Sequence, residues 1–96
     1  MTEIVKNNKI EFLENVLHIE SPTDEMIERI PKLLHKLSDK ERIVISFRYG
    51  FYDGRKRTLQ EIGRQYNVTR ERIRQIIVKA IKRMRHPTRK KIILIG

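Results

Sequence analysis

At 96 residues the chain has material for one small domain with a single core, and the lack of cysteine excludes disulfides and thiolate metal sites. His18, His35 and His86 are too scattered for a ligand set, no apolar run approaches the roughly 20 residues of a membrane span, and Met1-Thr2-Glu3 does not open a secretory signal; a soluble cytoplasmic protein without metal or cofactor is expected. The net charge of +10 is uneven, with 8 Lys/Arg against 10 Asp/Glu in residues 1–54 and 14 against 2 in residues 55–96, so the second half should seek a polyanion, nucleic acid ahead of an acidic membrane.

Helical signals run throughout and no strand-like alternation persists, so the expected fold class is all-α, a small helical bundle with a C-terminal helix-turn-helix. From about Ile4 to Leu17, the residues Ile10, Leu13, Val16 and Leu17 fall at helical spacing. Ser21-Pro22-Thr23-Asp24 supplies a cap, a proline tolerated in the first turn, and an acid beside the positive end of the helix dipole, which predicts a second helix starting there. Pro31 lacks an N–H and disfavours helix at Ile30, so this stretch should kink or restart as Pro31 to Leu37.

Ser38-Asp39-Lys40-Glu41 is a capping box, in which serine and glutamate each satisfy a backbone donor of the other. The helix it opens turns Ile43, Val44 and Phe47 inward and should end at Gly50, which can take the left-handed conformation past a helix terminus. Residues 51–57 read as a loop with a turn at Asp53-Gly54 and a basic cluster, Arg55-Lys56-Arg57.

A second capping box, Thr58-Leu59-Gln60-Glu61, opens a two-turn helix to about Tyr66. Asn67-Val68-Thr69 then makes a three-residue turn, with Asn67 suited to left-handed geometry and Thr69 placed to cap a long helix from Arg70 to about Arg85. Short helix, three-residue turn and long basic helix make a helix-turn-helix. His86-Pro87 stops the long helix, and Arg89-Lys90-Lys91 is followed by apolar Ile92 to Ile95.

At 100° per residue, Ile73, Ile76, Ile77, Ala80, Ile81 and Met84 share one apolar arc. Arg70, Glu71, Arg74 and Gln75 fall on the first two turns of an outward arc, where the second helix of such a motif meets base edges in the major groove. Arginine can bind guanine O6 and N7, glutamine adenine N6 and N7, and glutamate cytosine N4, each good bidentate pair contributing roughly 1 to 3 kcal/mol of discrimination. A solvated face carrying Glu71–Gln75 pairs would show the same charges, but not their place after this turn.

The runs Thr58-Leu59-Gln60-Glu61-Ile62-Gly63, Val68-Thr69-Arg70-Glu71-Arg72-Ile73-Arg74-Gln75-Ile76, Lys79-Ala80 and Arg85-His86-Pro87-Thr88-Arg89, with Leu37-Ser38-Asp39-Lys40-Glu41-Arg42 and Arg48-Tyr49-Gly50 upstream, resemble region 4 of the primary bacterial sigma factors. That resemblance implies base contacts in the promoter minus-35 element from Arg70, Glu71, Arg74 and Gln75. It also implies phosphate contacts from Lys40, Leu59 through its backbone N–H, Thr69 and Lys79. The implied partners are double-stranded promoter DNA and core RNA polymerase, gripped at the β flap through an apolar hollow among the helices.

Three departures stand beside the matches: Gln60 where the family usually has an acid, Ile77-Val78 for an acidic-then-small pair, and a tail from Lys90 to Gly96 unlike the family's acidic helical end. Region 2 of the family, which opens the minus-10 element with exposed aromatics, is absent from these residues, which hold six aromatics and no tryptophan. The chain alone is therefore not expected to start transcription, and a separate chain bearing region 2 is an implied partner. The expected layout is residues 1–36 as a helical segment without an assigned role, 37–90 as the region 4-like domain and 91–96 as a tail. Two other functions fit the same residues: a free-standing repressor, and a flap-binding regulator that does not read DNA. An enzyme is not expected, because Asp53-Gly54-Arg55-Lys56 lacks a phosphate-loop frame and no carboxylate pair or serine–histidine set is organised.

Overall fold

The computed structural model describes residues 2–96, and they are helical, with no strand among the described residues. Helix α1 (Thr2–Glu11) runs into a π-helical turn (Phe12–Val16), closed by Leu17 N–H donating to the Phe12 carbonyl at 3.2 Å. Phe12, Leu13 and Leu17 point inward from this wide turn, and each is at most 1% exposed. Helix α2 (Asp24–Glu28) is capped by Thr23 and not by Ser21, since Ser21 sits at φ 47, outside the extended geometry an N-cap needs. At Pro31 the chain restarts, but not over the expected Pro31 to Leu37: α2 ends at Arg29, and α3 (Ile30–Leu34) includes Ile30, with the proline tolerated in its first turn.

Both capping boxes form. Ser38 Oγ accepts from Glu41 N–H at 3.2 Å while Ser38 N–H donates to Glu41 Oε1 at 3.0 Å, opening α4 (Asp39–Tyr49). Gly50 ends it at φ 71. Thr58 and Glu61 repeat the arrangement at 3.1 and 2.9 Å to open α5 (Leu59–Tyr66). Asn67, at φ 57, turns the chain into α6 (Arg70–Arg85), which Thr69 caps by accepting from Arg72 N–H at 3.1 Å. Past His86, residues expected to hold a basic cluster and a tail form another helix, α7 (Pro87–Leu94), with Pro87 pre-set for its first position and Ile93 fully buried.

One core runs from the π-helical turn at Phe12 to Ile93 in α7, with Met26 and Ile27 of α2 packed against it. Helix α6 packs on α4, α5 and α7, and α7 packs back on α2 and α3. Phe12 meets the rings of Tyr49 and Phe51 edge-on at 5.1 and 5.2 Å. Polar ties reinforce the same seam: Asn8 Nδ2 donates to the carbonyls of Gly50 and Gly54 at 3.1 and 3.0 Å, and Arg85 Nε donates to the Val16 carbonyl at 2.8 Å. No helix among the described residues is long and apolar enough to cross a membrane.

Candidate nucleic-acid interface

The orientation of α6 follows from its apolar arc. Ile73, Ile76, Ile77, Ala80 and Met84 are buried and Ile81 is half-buried, so the opposite side of the helix faces outward. Arg70, Glu71, Arg74 and Gln75 are all exposed on its first two turns. Gly63 allows α5 to approach the turn closely, because a Cβ there would lie 2.6 Å from the Val68 carbonyl oxygen. The closeness of α5 and α6 therefore depends on a missing side chain as much as on the packing of Ile62 and Ile73.

Within the outward face Glu71 and Arg74 pair, with Arg74 Nε donating to Glu71 Oε1 at 2.9 Å and Nη2 to Oε2 at 2.7 Å. The Arg74 guanidinium holds the Glu71 carboxyl below its ordinary range, and Glu71 in turn pushes the arginine up, so both are charged at neutral pH. The Gln75 side chain and the Arg70 charge also lower the Glu71 carboxyl, each by less than Arg74 does. Val78, further along the face, is 52% exposed and offers an apolar contact such as a thymine methyl would match.

The residues expected to meet phosphates fall in three places. Lys40 and Lys79 line one hollow between the start of α4 and the middle of α6, together with Ser38, Gln75 and two arginines, Arg72 and Arg83. Thr69 stands at the N-terminus of α6, and Leu59, half-buried, is the first residue of α5, where N–H groups have no carbonyl within their own helix to bond. Arg72 and Arg83 were not singled out from the sequence. The hollow they line depends on α4 lying beside α6.

The basic cluster after α4 is ion-paired within the chain. Arg55 pairs with Glu61 at 2.8 Å, Lys56 with Glu11, and Arg57 with Asp53 at 2.8 Å, while the Arg57 guanidinium also lies 4.5 Å from the centre of the Phe47 ring. These cations brace the loop after α4. Arg85, at the end of α6, likewise serves the N-terminal seam through Val16. Among the described residues no group of three or more His, Asp or Glu side chains is arranged to hold a metal ion.

Comparison with known proteins points the same way. The family model described as Sigma-70, region 4 matches residues 33–86. The chain is 52% identical over 64 residues to the RNA polymerase sigma factor SigA of Clostridium acetobutylicum, covering 67% of this chain and 17% of that protein. It is 45% identical over 86 residues to SigA of Lactococcus lactis subsp. cremoris (84% and 23%), and 48% identical over 79 residues to SigA of a Nostoc species (77% and 20%). The chain spans about a fifth of the length of these curated relatives.

Proposed function

Because the chain belongs to the sigma-70 region 4 family, we propose that it binds promoter DNA at the minus-35 element as a region 4 module acting with RNA polymerase in transcription initiation. The observation that carries this is the exposed start of α6, where Arg70, Glu71, Arg74 and Gln75 present base-reading chemistry on a helix whose opposite side is locked into the core. In this reading those four meet base edges, while Lys40, Leu59, Thr69 and Lys79 meet phosphates and set the register. The relatives are named as sigma factors of RNA polymerase, which supports core polymerase as the second partner; within this proposal its β flap is the anchor.

The polymerase contact answers an energetic need. A single helix-turn-helix module buries roughly 600 to 1,000 Å² on DNA, which limits its intrinsic specificity. Its phosphate contacts raise affinity for all sequences alike and fade steeply with salt. Anchoring on polymerase makes the DNA contact intramolecular, at a local concentration up to the order of millimolar. The test is footprinting of one promoter with the chain alone, with core polymerase, and with both plus a region 2-bearing chain. Protection of the minus-35 element only when polymerase is present is the expected result, and tight sequence-specific protection by a polymerase-free dimer would overturn it.

A further inference from the structure

A hollow of about 360 Å³ lies where α1, α3 and α4 meet, and no residue of α5 or α6 lines it. It shares no residue with the surface expected to meet DNA, and one of its walls comes from α1, in the segment without an assigned role. Ile30, Leu34 and Phe51, each at most 8% exposed, form an apolar floor. Pro31 and the rings of His35 and Tyr52 stand around that floor, with Tyr52 steadied by an edge-on contact with Phe47 at 5.3 Å.

Two half-buried cations, Lys9 and Arg42, join the lining, and no carboxylate among the described residues does. Arg42 is already engaged by Asp39. Lys9 pairs with no carboxylate among the described residues. An anion seated beside it would meet an unanswered charge at the edge of an apolar surface, where attraction is screened less than in open water.

The volume falls within the roughly 300 to 1,000 Å³ of small-molecule sites, which are mostly apolar with a few placed polar groups. An inorganic anion would use Lys9 and gain nothing from Ile30 or Phe51. A neutral apolar molecule would fill the floor and leave Lys9 unanswered. A planar ring bearing one carboxylate answers both, because the neighbouring rings and Pro31 offer it faces while the ammonium offers it a point charge.

We propose that this hollow binds a small aromatic carboxylate, its ring against Ile30, Leu34 and Phe51 and its carboxylate on Lys9. The ligand bridges α1 to α3 and α4, and so clasps the N-terminal segment onto the stretch that matches the family. Neither the site nor the clasp depends on how α6 reads DNA.

The experiment titrates the full chain with naphthoate, with naphthamide as the same ring without charge, and with acetate as the same charge without a ring. Naphthoate should move the amide signals of Ile30, Leu34 and Phe51 and bind roughly tenfold more tightly than naphthamide, the difference expected of one charge-assisted hydrogen bond. Acetate should leave those signals in place. Lys9→Ala should erase the tenfold difference, whereas Lys6→Ala, at a neighbouring cation paired with Asp24 outside the hollow, should preserve it. With naphthoate at about ten times its dissociation constant, amide exchange through opening of α1 should slow about tenfold, because an open α1 loses the site. No shift at the three amides, equal binding of naphthoate and naphthamide, or a difference that survives Lys9→Ala would overturn the site. The same shifts produced by acetate would overturn the aromatic assignment, and naphthoate binding with unchanged exchange in α1 would overturn the clasp.

Discussion

Glu71 holds Arg74 in a two-point fork, 2.9 Å at Nε and 2.7 Å at Nη2, on the exposed start of α6. The arginine expected to read a base therefore begins from an ordered position, and its reading edge is set by a carboxylate one turn away. Both groups are exposed, so the fork contributes little to stability and its importance lies in geometry. Arg74→Ala and Gln75→Ala should each lose roughly 1 to 3 kcal/mol of discrimination at particular base pairs. Lys79→Ala should instead weaken every sequence alike and flatten the salt dependence. Binding titrations on matched, mismatched and random duplexes check this; equal losses on all three for all variants would contradict it.

Gly63→Ala should destabilise the domain. Alanine offers roughly 1 kcal/mol of helix propensity over glycine, but its Cβ would sit 2.6 Å from the Val68 carbonyl oxygen, and backbone cannot swing aside as a side chain can. Forcing α5 and α6 apart should cost about 1 to 3 kcal/mol before the propensity gain, and the collision falls at the motif's turn. A lowered melting temperature together with weaker DNA binding is expected; an unchanged melting curve would show that the turn relaxes freely.

Asn8→Ala should loosen α1 without touching the DNA-facing residues. Its side chain, 7% exposed, donates to two carbonyls across the chain, and their loss leaves Gly50 and Gly54 short of partners at a cost of roughly 1 to 3 kcal/mol. Faster amide exchange in residues 2–17 with unchanged DNA affinity is the expected pair of results.

Acid should unravel α5 from its start. Backbone hydrogen bonding at Thr58, then the Arg55 guanidinium, lower the Glu61 carboxyl from 4.5 to about 2. A folded-state pKa below the unfolded one gives stability that is full above the ordinary value and lost as pH falls through the depressed one. The capping contribution should thus hold constant above about 4.5 and decline towards 2. Glu61→Gln should remove that acid dependence, seen as a flatter helical signal over the same range relative to the unsubstituted chain.

Ile73→Ala tests the phase of α6 directly. Ile73 is 1% exposed at the centre of the apolar arc, so truncation should cost roughly 2 to 5 kcal/mol in denaturant unfolding. Val78→Ala, on the exposed side, should be close to neutral.

The parts legible in the sequence are those fixed by neighbours in the chain. Ser38 with Glu41, Thr58 with Glu61, Gly50, Asn67 and Thr69 act within four residues of where they stand, and all appear as their chemistry dictates. The wheel of α6 is equally local. What escaped depends on residues far apart: Asn8 finds its partners 42 and 46 residues away, Arg85 finds Val16 at a separation of 69, and the helix of Pro87 to Leu94 has a place to fold because α2 and α3 lie under it. The ion pairs of the Arg55-Lys56-Arg57 cluster were not legible either, because Glu11 and Glu61 are brought up to it by the fold, with Asp53 beside Arg57.

Arg29 donates to the Ile93 carbonyl at 3.0 Å, joining segments that lie on either side of the stretch matching the family. Those flanks provide Phe12, Leu13, Leu17, Ile30 and Ile93, all at most 1% exposed. A fragment trimmed to residues 33–86 would strip Phe12 from the rings of Tyr49 and Phe51, however well it kept the recognition helix. Its poor binding would then report a melted scaffold and say nothing about promoter choice, so deletion mapping of this molecule would credit DNA contacts to residues that never approach DNA. Point substitutions on an intact chain are the sound way to dissect it.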